Sequence, residues 1–373
     1  MQKNSGGPEL KTIALKIRAK RTEVAVQNLR YWAQFVNTNR SSHLNVVVKV
    51  TVCLVISLPL RLQADNKLEI RHMAEQTCES LININFESKI FSGITPSDDA
   101  WNAYLLKIYK ELPACSPAVF ANHNTNLGPS SYEILAKNIE LFHRPAQRLI
   151  DLGSGSGHML KYISPQIRKN DLVTAVDMSE DEIKIAAKDY GNNSQIKFVA
   201  ARAQNLPFSD ESIDLIGAHM SMMLMRPIEP VVDEIYRVLK KGGRLLAVTN
   251  STEPASGTLG LFNATILDFI KSHYPQFKQL PNGDIRTRNL DGLKELFLPR
   301  FKSVEQFTPF YLNIEVTPDG AWAFCNTLVS VNIVPQDKRS ELRSRILEIA
   351  NAQRQMNGKV LLQMPLALWV VEK

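Results

Sequence analysis

Cysteine is scarce in this chain, and the cysteines that are present are not arranged as ligands. Four occur in 373 residues, with no C-x-x-C pair and no histidine-rich partner: Cys53, Cys78, Cys115 and Cys325. Zinc sites and disulfide frameworks need recurring cysteine spacings. The sequence therefore argues against both and favours a reducing, cytoplasmic setting. No Asp, His or Cys cluster has metal-ligand spacing, so we expect no metal, although a Mg²⁺ ion bridging an acceptor stays open.

Acidic residues are scarce only near the N-terminus. Residues 1–72 carry 12 Lys and Arg against four Asp and Glu, whereas residues 73–373 carry 32 against 33. Phosphate binding depends on clustered Lys and Arg, so we predict no nucleic-acid partner for the main part of the chain. Residues 1–72 are predicted to be a basic N-terminal extension; the alternatives are that it is disordered or that the functional protein begins at Met73.

Long hydrophobic runs are absent apart from HLNVVVKVTVCLVISLPL, residues 43–60. This run follows polar and basic chain rather than the short positive segment of a secretory signal. It contains Lys49 and Pro59, and it is at the short limit for a helix crossing a hydrocarbon core of about 30 Å. Membrane contact through residues 44–60 is therefore an alternative that the sequence does not favour.

Two helices are predicted ahead of the first strand. One follows the capping-type run TPSDDA and the other follows GPSS. Apolar residues recur at helical spacing in each. They are Trp101, Tyr104, Leu105, Ile108 and Leu112 in the first helix, and Tyr132, Leu135, Ile139 and Leu141 in the second. This pattern predicts a helical cap over residues 73–146.

Residues 147–373 alternate apolar runs with helical segments, which is typical of a parallel sheet covered on both faces. Segments near 157–168, 180–190, 203–210 and 228–240 can supply the crossovers, and LGLFNATILDFIKS and residues 337–354 are further helices. The predicted strands are RLIDLG, LVTAVDM, IKFVAA, SIDLIGAH, RLLAVTN, FTPFYLNIEV and LLQMPLALWVV. The predicted fold is α/β: a Rossmann-like, seven-stranded, mostly parallel sheet with helices on both faces and an N-terminal helical cap.

The first predicted strand runs into DLGSGSG, residues 151–157. A glycine turn after a strand lets backbone approach a ligand closely, although it can also be a plain tight loop. The spacing is G-x-G-x-G rather than the G-x-G-x-x-G of dinucleotide sites, which disfavours an NAD-dependent oxidoreductase. Asp151 would repel a phosphate but suit a cationic amino group. Asp177 ends the next strand, where a carboxylate accepts hydrogen bonds from ribose hydroxyls.

Further matching stretches are AQNLPFSDESIDLI, residues 203–216, and EIYRVLKKGGRLL, residues 234–246, read as a helix ended by Gly242 and Gly243. With DLGSGSG and VDMS they make about 100 residues that resemble class I S-adenosylmethionine-dependent methyltransferases of the small-molecule type, such as the ubiquinone and sterol C-methyltransferases. The resemblance implies an S-adenosylmethionine-binding domain over residues 147–373 that methylates a small, partly hydrophobic acceptor at an unknown O, N or C atom. The alternative is a catalytically silent relative that binds S-adenosylmethionine or S-adenosylhomocysteine as a sensor or partner.

The resemblance also implies cofactor-binding residues. Asp151 and the glycine-loop backbone would surround the methionine end, and Asp177 would bind the ribose. Near the adenine, Arg202 stands where similar proteins usually have an acidic acceptor, so the Gln204 amide oxygen or the backbone would replace it, or affinity would fall. The full predicted set is Asp151, Gly153, Ser154, Gly155, Gly157, Asp177, Met178, Ala203 and Gln204.

On the acceptor side, His219 ends the fourth strand and is the candidate general base. It could instead only line the cofactor pocket. His158 is interpreted as a structural helix residue, and His123 and His143 are minor candidates. We expect an apolar roof formed by Trp101, Tyr104, Tyr132, the helix LGLFNATILDFIKS and residues 307–312, with residues 219–227 as a methionine-rich wall. No N/D-P-P-Y/F tetrapeptide follows the fourth strand, which disfavours methylation of DNA bases or glutamine.

Overall fold

The computed structural model describes residues 86–140, 147–279 and 283–373. They belong to one compact unit, Phe86–Lys373. The predicted extension 1–72, its apolar run 44–60 and His143 lie outside the described residues. Within the described ranges, no helix combines the length and apolar character needed to cross a membrane.

Seven strands form one sheet in the order β3-β2-β1-β4-β5-β7-β6. Strands β1 to β5 run parallel, and β7 is antiparallel to both of its neighbours, β5 and β6. The seven predicted strands and the mostly parallel arrangement are thereby confirmed. The strands are β1 (Arg148–Leu152), β2 (Leu172–Asp177), β3 (Ile196–Ala200), β4 (Ile213–His219), β5 (Leu239–Asn250), β6 (Ser303–Val316) and β7 (Val360–Glu372).

Helices connect and cover these strands. In chain order they are α1 (Asp98–Glu111), α2 (Cys115–Phe120), α3 (Ser131–Glu140), α4 (Leu160–Ile163), α5 (Glu180–Tyr190), α6 (Glu229–Val238), α7 (Gly257–His273), α8 (Leu290–Phe297), α9 (Pro318–Cys325), α10 (Val329–Asn332) and α11 (Gln336–Ala352). Short 3₁₀ turns occupy Ser164–Gln166, Met222–Leu224 and Ile285–Arg288.

The sheet is covered on both faces because its central strands are apolar on both sides. Alternate residues such as Ile150 of β1 and Ile216 of β4 join one buried cluster with α6 and α8. On the opposite face, a Cβ atom on Gly217 of β4 would lie 3.0 Å from the Ile139 side chain of α3. Burial on both faces is what near-continuous apolar parallel strands require.

The cap helices form where their apolar spacing predicts. Helix α1 begins after Ser97, whose hydroxyl accepts a hydrogen bond from the Ala100 N–H. Its buried face contains Trp101, Tyr104, Leu105 and Ile108, while Leu112 lies just past its end. Helix α3 follows GPSS and buries Tyr132, Leu135 and Ile139.

Two local predictions need correction. The connection over residues 203–210 is a loop, not a helix, and Arg237 of α6 holds it by donating to the carbonyls of Leu206 and Phe208. Gly242 and Gly243 do not cap α6, because that helix ends at Val238 and β5 starts at once. Both glycines instead exchange backbone hydrogen bonds with Lys373.

Candidate active site

A cleft of about 1000 Å³ opens at the carboxyl ends of β1, β2 and β4. Strand order reverses between β1 and β4, which is where open α/β sheets bind ligands. Apart from Gly157, all of the predicted cofactor-binding residues line this cleft, and so does His219. Its other walls come from the cap and from the segment after β4.

The glycine loop is held open by backbone hydrogen bonds. The N–H groups of Gly153 and Ser154 both donate to the Val176 carbonyl, at 2.8 and 3.0 Å. Gly153 has φ +69°, and a Cβ atom there would lie 2.4 Å from the Cβ of Ser221. Gly157 contacts a helix instead, since a Cβ atom on it would lie 2.9 Å from Ala186 of α5. It permits helix packing beneath the loop.

Asp151 is a buried carboxylate at the start of this loop. It is 1% exposed, and its Oδ2 atom has no hydrogen-bond partner. Burial, with a smaller contribution from Asp177, raises the pKa of Asp151 to about 7. A buried carboxylate oxygen without a partner is costly, and a cationic donor would satisfy it.

Asp177 ends β2 and organises the loops around it. Its Oδ2 accepts from the Gly155 N–H and its Oδ1 from the Ser179 N–H, both at 2.8 Å. Burial nevertheless raises the pKa of Asp177, against the lowering effect of these hydrogen bonds. The carboxylate thus fixes the glycine loop against the start of α5 while it lines the cleft.

Gln204 is oriented by the segment after β4. Its side-chain amide nitrogen donates to the carbonyls of Arg226 and Pro227, at 3.0 and 3.3 Å. This arrangement leaves the amide oxygen as the part that can accept from a ligand. Arg202, Ala203 and Met178 also line this side of the cleft, and Arg202 is exposed.

His219 is placed in the cleft but is poorly suited to act as a base. Its Nε2 lies 2.9 Å from the Ser131 hydroxyl, and its ring stacks on Tyr132 with centroids 3.7 Å apart. Burial lowers the pKa of His219 to about 3. A general base works best with a pKa near the working pH, so this imidazole is neutral and weakly basic. Its Nδ1 atom is buried and has no partner.

His158 lines the cleft as well, although the sequence suggests only a structural role. It packs edge-on against Tyr132, with ring centroids 4.7 Å apart, and its buried Nε2 has no partner. Burial lowers the pKa of His158, with Lys161 adding to the effect. His123 is not among the residues that line the cleft.

The predicted roof is only partly correct. Tyr132 lines the cleft, but Trp101 and Tyr104 do not. Trp101 is fully buried and donates from Nε1 to the Leu224 carbonyl at 2.7 Å, while Tyr104 stacks on Phe86. Neither α7 nor residues 307–312 line the cleft, because α7 packs on β7 and α11 and because β6 is the sheet edge farthest from β1.

The roof is formed instead by other residues of α1 and by the start of α2. Asn102, Leu105 and Tyr109 of α1 line the cleft with residues 114–117 at the start of α2. Ala114 and Met220, which both line the cleft, have left-handed backbone with φ of 53° and 54°. Such strained residues concentrate at functional sites. Apolar periodicity shows that α1 is buried but not which of its side chains face a ligand.

The polar atoms of the cleft fit S-adenosylmethionine. The unsatisfied carboxylate of Asp151 could pair with an ammonium group, and the oxygens of Asp177 could accept from ribose hydroxyls. The glycine loop leaves room for the amino-acid end, and Met178, Ala203 and Gln204 can hold the adenine. Among the described residues, no group of three His, Cys, Asp or Glu side chains is placed to hold a metal ion.

Residues 150–247, which contain the glycine loop, Asp177 and β4, match the family model described as a methyltransferase domain. The match identifies this part of the chain, residues 150–247, as a methyltransferase domain. The recognition of this family from DLGSGSG and its downstream partners is confirmed.

Curated relatives of this methyltransferase domain are ubiquinone/menaquinone biosynthesis C-methyltransferases. The chain is 30% identical over 130 residues to the one from Psychromonas ingrahamii, covering 33% of this chain and 52% of the relative. It is 28% identical over 130 residues to the one from Vibrio parahaemolyticus, covering 33% and 50%. The alignments span about half the length of these relatives.

Solved structures similar to the methyltransferase domain include the YcgJ protein from Bacillus subtilis, with 20% identity, a TM-score of 0.43 and coverage of 64% of this chain and 97% of that chain. Another is an S-adenosylmethionine-dependent methyltransferase from Aquifex aeolicus, with 19% identity, a TM-score of 0.32 and coverage of 39% and 73%.

Proposed function

We propose that this protein transfers a methyl group from S-adenosylmethionine to a small, partly hydrophobic acceptor. The observation that carries the proposal is the buried, unpartnered Asp151 carboxylate beside an open glycine loop at the sheet's switch point. Asp151 would pair with the cofactor's ammonium group, Asp177 would bind its ribose, and Gln204 would accept from its adenine amino group.

When bound, the cofactor supplies a methyl group activated by a sulfonium. The residues of the chain then have to align the acceptor and exclude water. Leu105, Pro117, Met220 and Leu224 give the cleft apolar walls for this purpose. Tyr132, which packs against the imidazoles of both His219 and His158, adds an aromatic ring to the lining.

The charged residues around the cleft indicate what charge the acceptor can carry. Asp151, Asp177 and Glu182 are the described lining residues with carboxyl groups, and Arg202 is the described lining residue with a permanent positive charge. Because Arg202 is exposed and lies on the adenine side, no described cation lines the walls around Tyr132. An acceptor with a phosphate or carboxylate near its reacting atom would be repelled. We therefore expect a neutral or cationic acceptor.

Transfer of labelled methyl from S-adenosylmethionine into fractionated metabolite extracts tests this function. We expect label in a small molecule that is not retained on an anion exchanger. Calorimetry with S-adenosylhomocysteine and NADH provides the control. Binding of NADH alone would contradict the cofactor assignment, and cofactor binding without transfer to any fraction would contradict the activity.

Two further features belong to this proposal. We expect the protein to act in the cytoplasm, as its cysteine usage indicates, and on small molecules rather than nucleic acid. Addition of DNA and RNA to the transfer assay, with label counted in the polymer fraction, tests the second expectation. Label in either polymer would contradict it.

A further inference from the structure

Glu182 is a buried carboxylate that the cofactor assignment above does not use. It lies in the first turn of α5, is 4% exposed and lines the cleft. Its neighbours in sequence, Glu180 and Asp181, are exposed. A buried acidic side chain next to two exposed ones calls for a specific partner, since ionised carboxylates are rarely buried unless they are paired.

One oxygen of Glu182 already has such a partner in the cap. Oε1 accepts a hydrogen bond of 2.9 Å from the backbone N–H of Ala114. Ala114 has left-handed backbone, φ 53°, immediately before α2. Residues 114–117, which follow, form part of the cleft wall. Glu182 thus ties this part of the cap to the domain that carries the glycine loop.

The other carboxylate oxygen of Glu182 has no partner. Oε2 is buried and without a hydrogen-bond partner, and it lies 3.8 Å from the position that a Cβ atom on Gly155 would occupy. Gly155 is also the residue whose N–H donates to Asp177. The free oxygen of Glu182 therefore lies at the glycine loop on the side of Asp177.

Asp177 has only part of its acceptor capacity free for a ribose. Both of its oxygens already accept backbone hydrogen bonds, from Gly155 and Ser179. A ribose presents two adjacent hydroxyls, each a donor. Two carboxylate oxygens among the described lining residues lack a donor, Asp151 Oδ2 and Glu182 Oε2. Since Asp151 is assigned to the cofactor's ammonium group, Glu182 Oε2 is the one left for a ribose hydroxyl.

We propose that Glu182 couples cofactor binding to the cap: one carboxylate oxygen holds Ala114, and the other accepts a hydrogen bond from a ribose hydroxyl. This inference rests on the proposed cofactor and adds a residue whose existing hold on the cap is strengthened when the ribose is present. Glu182 is a positioning residue, because it sets residues 114–117 against the cleft before an acceptor enters.

The test compares three ligands by calorimetry: S-adenosylhomocysteine and its 2′-deoxy and 3′-deoxy forms. Glu182→Met should weaken S-adenosylhomocysteine binding about 10- to 100-fold, the effect of one hydrogen bond to a charged group. With the deoxy ligand that lacks the partner hydroxyl, the same substitution should change affinity less than about 3-fold. Glu180→Gln, an exposed change in the same helical turn, is the matched control.

A second measurement reports on the cap. Hydrogen exchange of a peptide covering residues 112–118 should slow when S-adenosylhomocysteine binds the native protein, and it should not slow in Glu182→Met. Glu182→Gln keeps an acceptor for Ala114 and should restore part of the protection. Thermal unfolding of each variant checks that it is folded.

The outcomes separate this inference from the function that it rests on. If the native protein does not bind S-adenosylhomocysteine, the cofactor assignment fails. If the ligand binds but Glu182→Met loses the same affinity for all three ligands, or leaves ligand-induced protection of residues 112–118 unchanged, the inference about Glu182 is wrong and the proposed function stands.

Discussion

The floor and the roof of the cleft are built in different ways. The floor, residues 151–157 with 176–179, is held by backbone hydrogen bonds and by glycine conformations at the ends of β1 and β2. The roof, residues 102–117 with Tyr132, is held by long-range hydrogen bonds from side chains of α1, including that of Trp101 just before it. Asn102 donates to the Arg226 carbonyl and Trp101 to the Leu224 carbonyl.

The difference shows which part of the cleft can vary. The floor leaves little freedom at Gly153 and Gly157, because a Cβ atom on either would lie less than 3.0 Å from a neighbouring side chain. The roof depends on a few contacts with residues 222–227, so its side chains can change without moving the sheet. We infer that the floor serves the cofactor and that the roof selects the acceptor.

Breaking the floor should have the largest effect. Gly153→Ala adds a Cβ atom where Ser221 already lies at 2.4 Å and forces a left-handed backbone on alanine. We expect the free energy of unfolding to fall by about 2–4 kcal/mol and S-adenosylhomocysteine affinity to fall more than about 100-fold. Gly358→Ala is the control, since Gly358 has φ +77° but nothing within 4 Å of its Cβ position. Equal loss of affinity in both variants would contradict the role of the loop.

Asp177→Ala should have the next largest effect on cofactor affinity. It removes the acceptor of the Gly155 and Ser179 N–H groups as well as the proposed ribose ligand. Binding of S-adenosylhomocysteine should weaken by about 1–3 kcal/mol. Asp189→Ala, an exposed change at the other end of α5, should leave the calorimetric affinity unchanged. Unchanged affinity in Asp177→Ala would remove Asp177 from the site.

The floor could be predicted from sequence because its signals are local. Asp151 and three glycines occur within seven residues, and Asp177 ends a strand that apolar residues identify. Strand ends at a switch point converge on one edge of the sheet, so the order of the motifs places the residues. Only Gly157 differs, because its contact is with Ala186 of α5, which no local pattern specifies.

The roof could not be predicted in this way. Trp101 and Tyr109 lie on the same helix, yet the first is a core residue and the second lines the cleft. The choice depends on Leu224, which is 123 residues from Trp101 in sequence. Glu182 likewise resembles its exposed neighbours in sequence, and only its contact with Ala114 distinguishes it.

The pH dependence of S-adenosylhomocysteine binding tests the role of Asp151 in the floor. The pKa of Asp151 is about 7, so below pH 7 a proton must leave before the carboxylate can pair with an ammonium group. Affinity for S-adenosylhomocysteine should fall by up to about tenfold per pH unit below 7, and Asp151→Asn should show weaker binding with a flat profile. Calorimetry from pH 5.5 to 8.5 measures both. A native profile as flat as that of Asp151→Asn would contradict the pairing.

The raised pKa of Asp151 also makes the stability of the protein depend on pH. Because the folded-state pKa lies above the unfolded value of 3.8, the contribution of Asp151 to stability is full at low pH and is lost as the pH rises through 7. Asp151→Asn should therefore raise the unfolding temperature relative to the native protein more at pH 8 than at pH 5. The opposite trend would show that this carboxylate is paired in the unliganded protein.

A smaller effect is expected at Trp101, the core residue of α1 that anchors the roof. Trp101→Phe keeps an aromatic ring but leaves the Leu224 carbonyl without its donor, which should lower the free energy of unfolding by about 1–2 kcal/mol. Affinity for S-adenosylhomocysteine should stay within about 3-fold, because the contact holds the cap and not the floor. Trp322→Phe, outside the cleft lining, is the control. A larger loss of cofactor affinity would break the division between floor and roof.

The smallest effect is expected at His219. With a pKa of about 3, it is neutral throughout the range in which a methyltransferase base would titrate. His219→Phe keeps the stacking on Tyr132, and the pH profile of kcat/KM should keep its shape between pH 5 and 9. His158→Phe is the informative comparison, because the His158 ring also packs against Tyr132 and lines the cleft. An inflection near pH 6–7 that disappears only in His219→Phe would restore His219 as the base, whereas one that disappears only in His158→Phe would assign that role to His158.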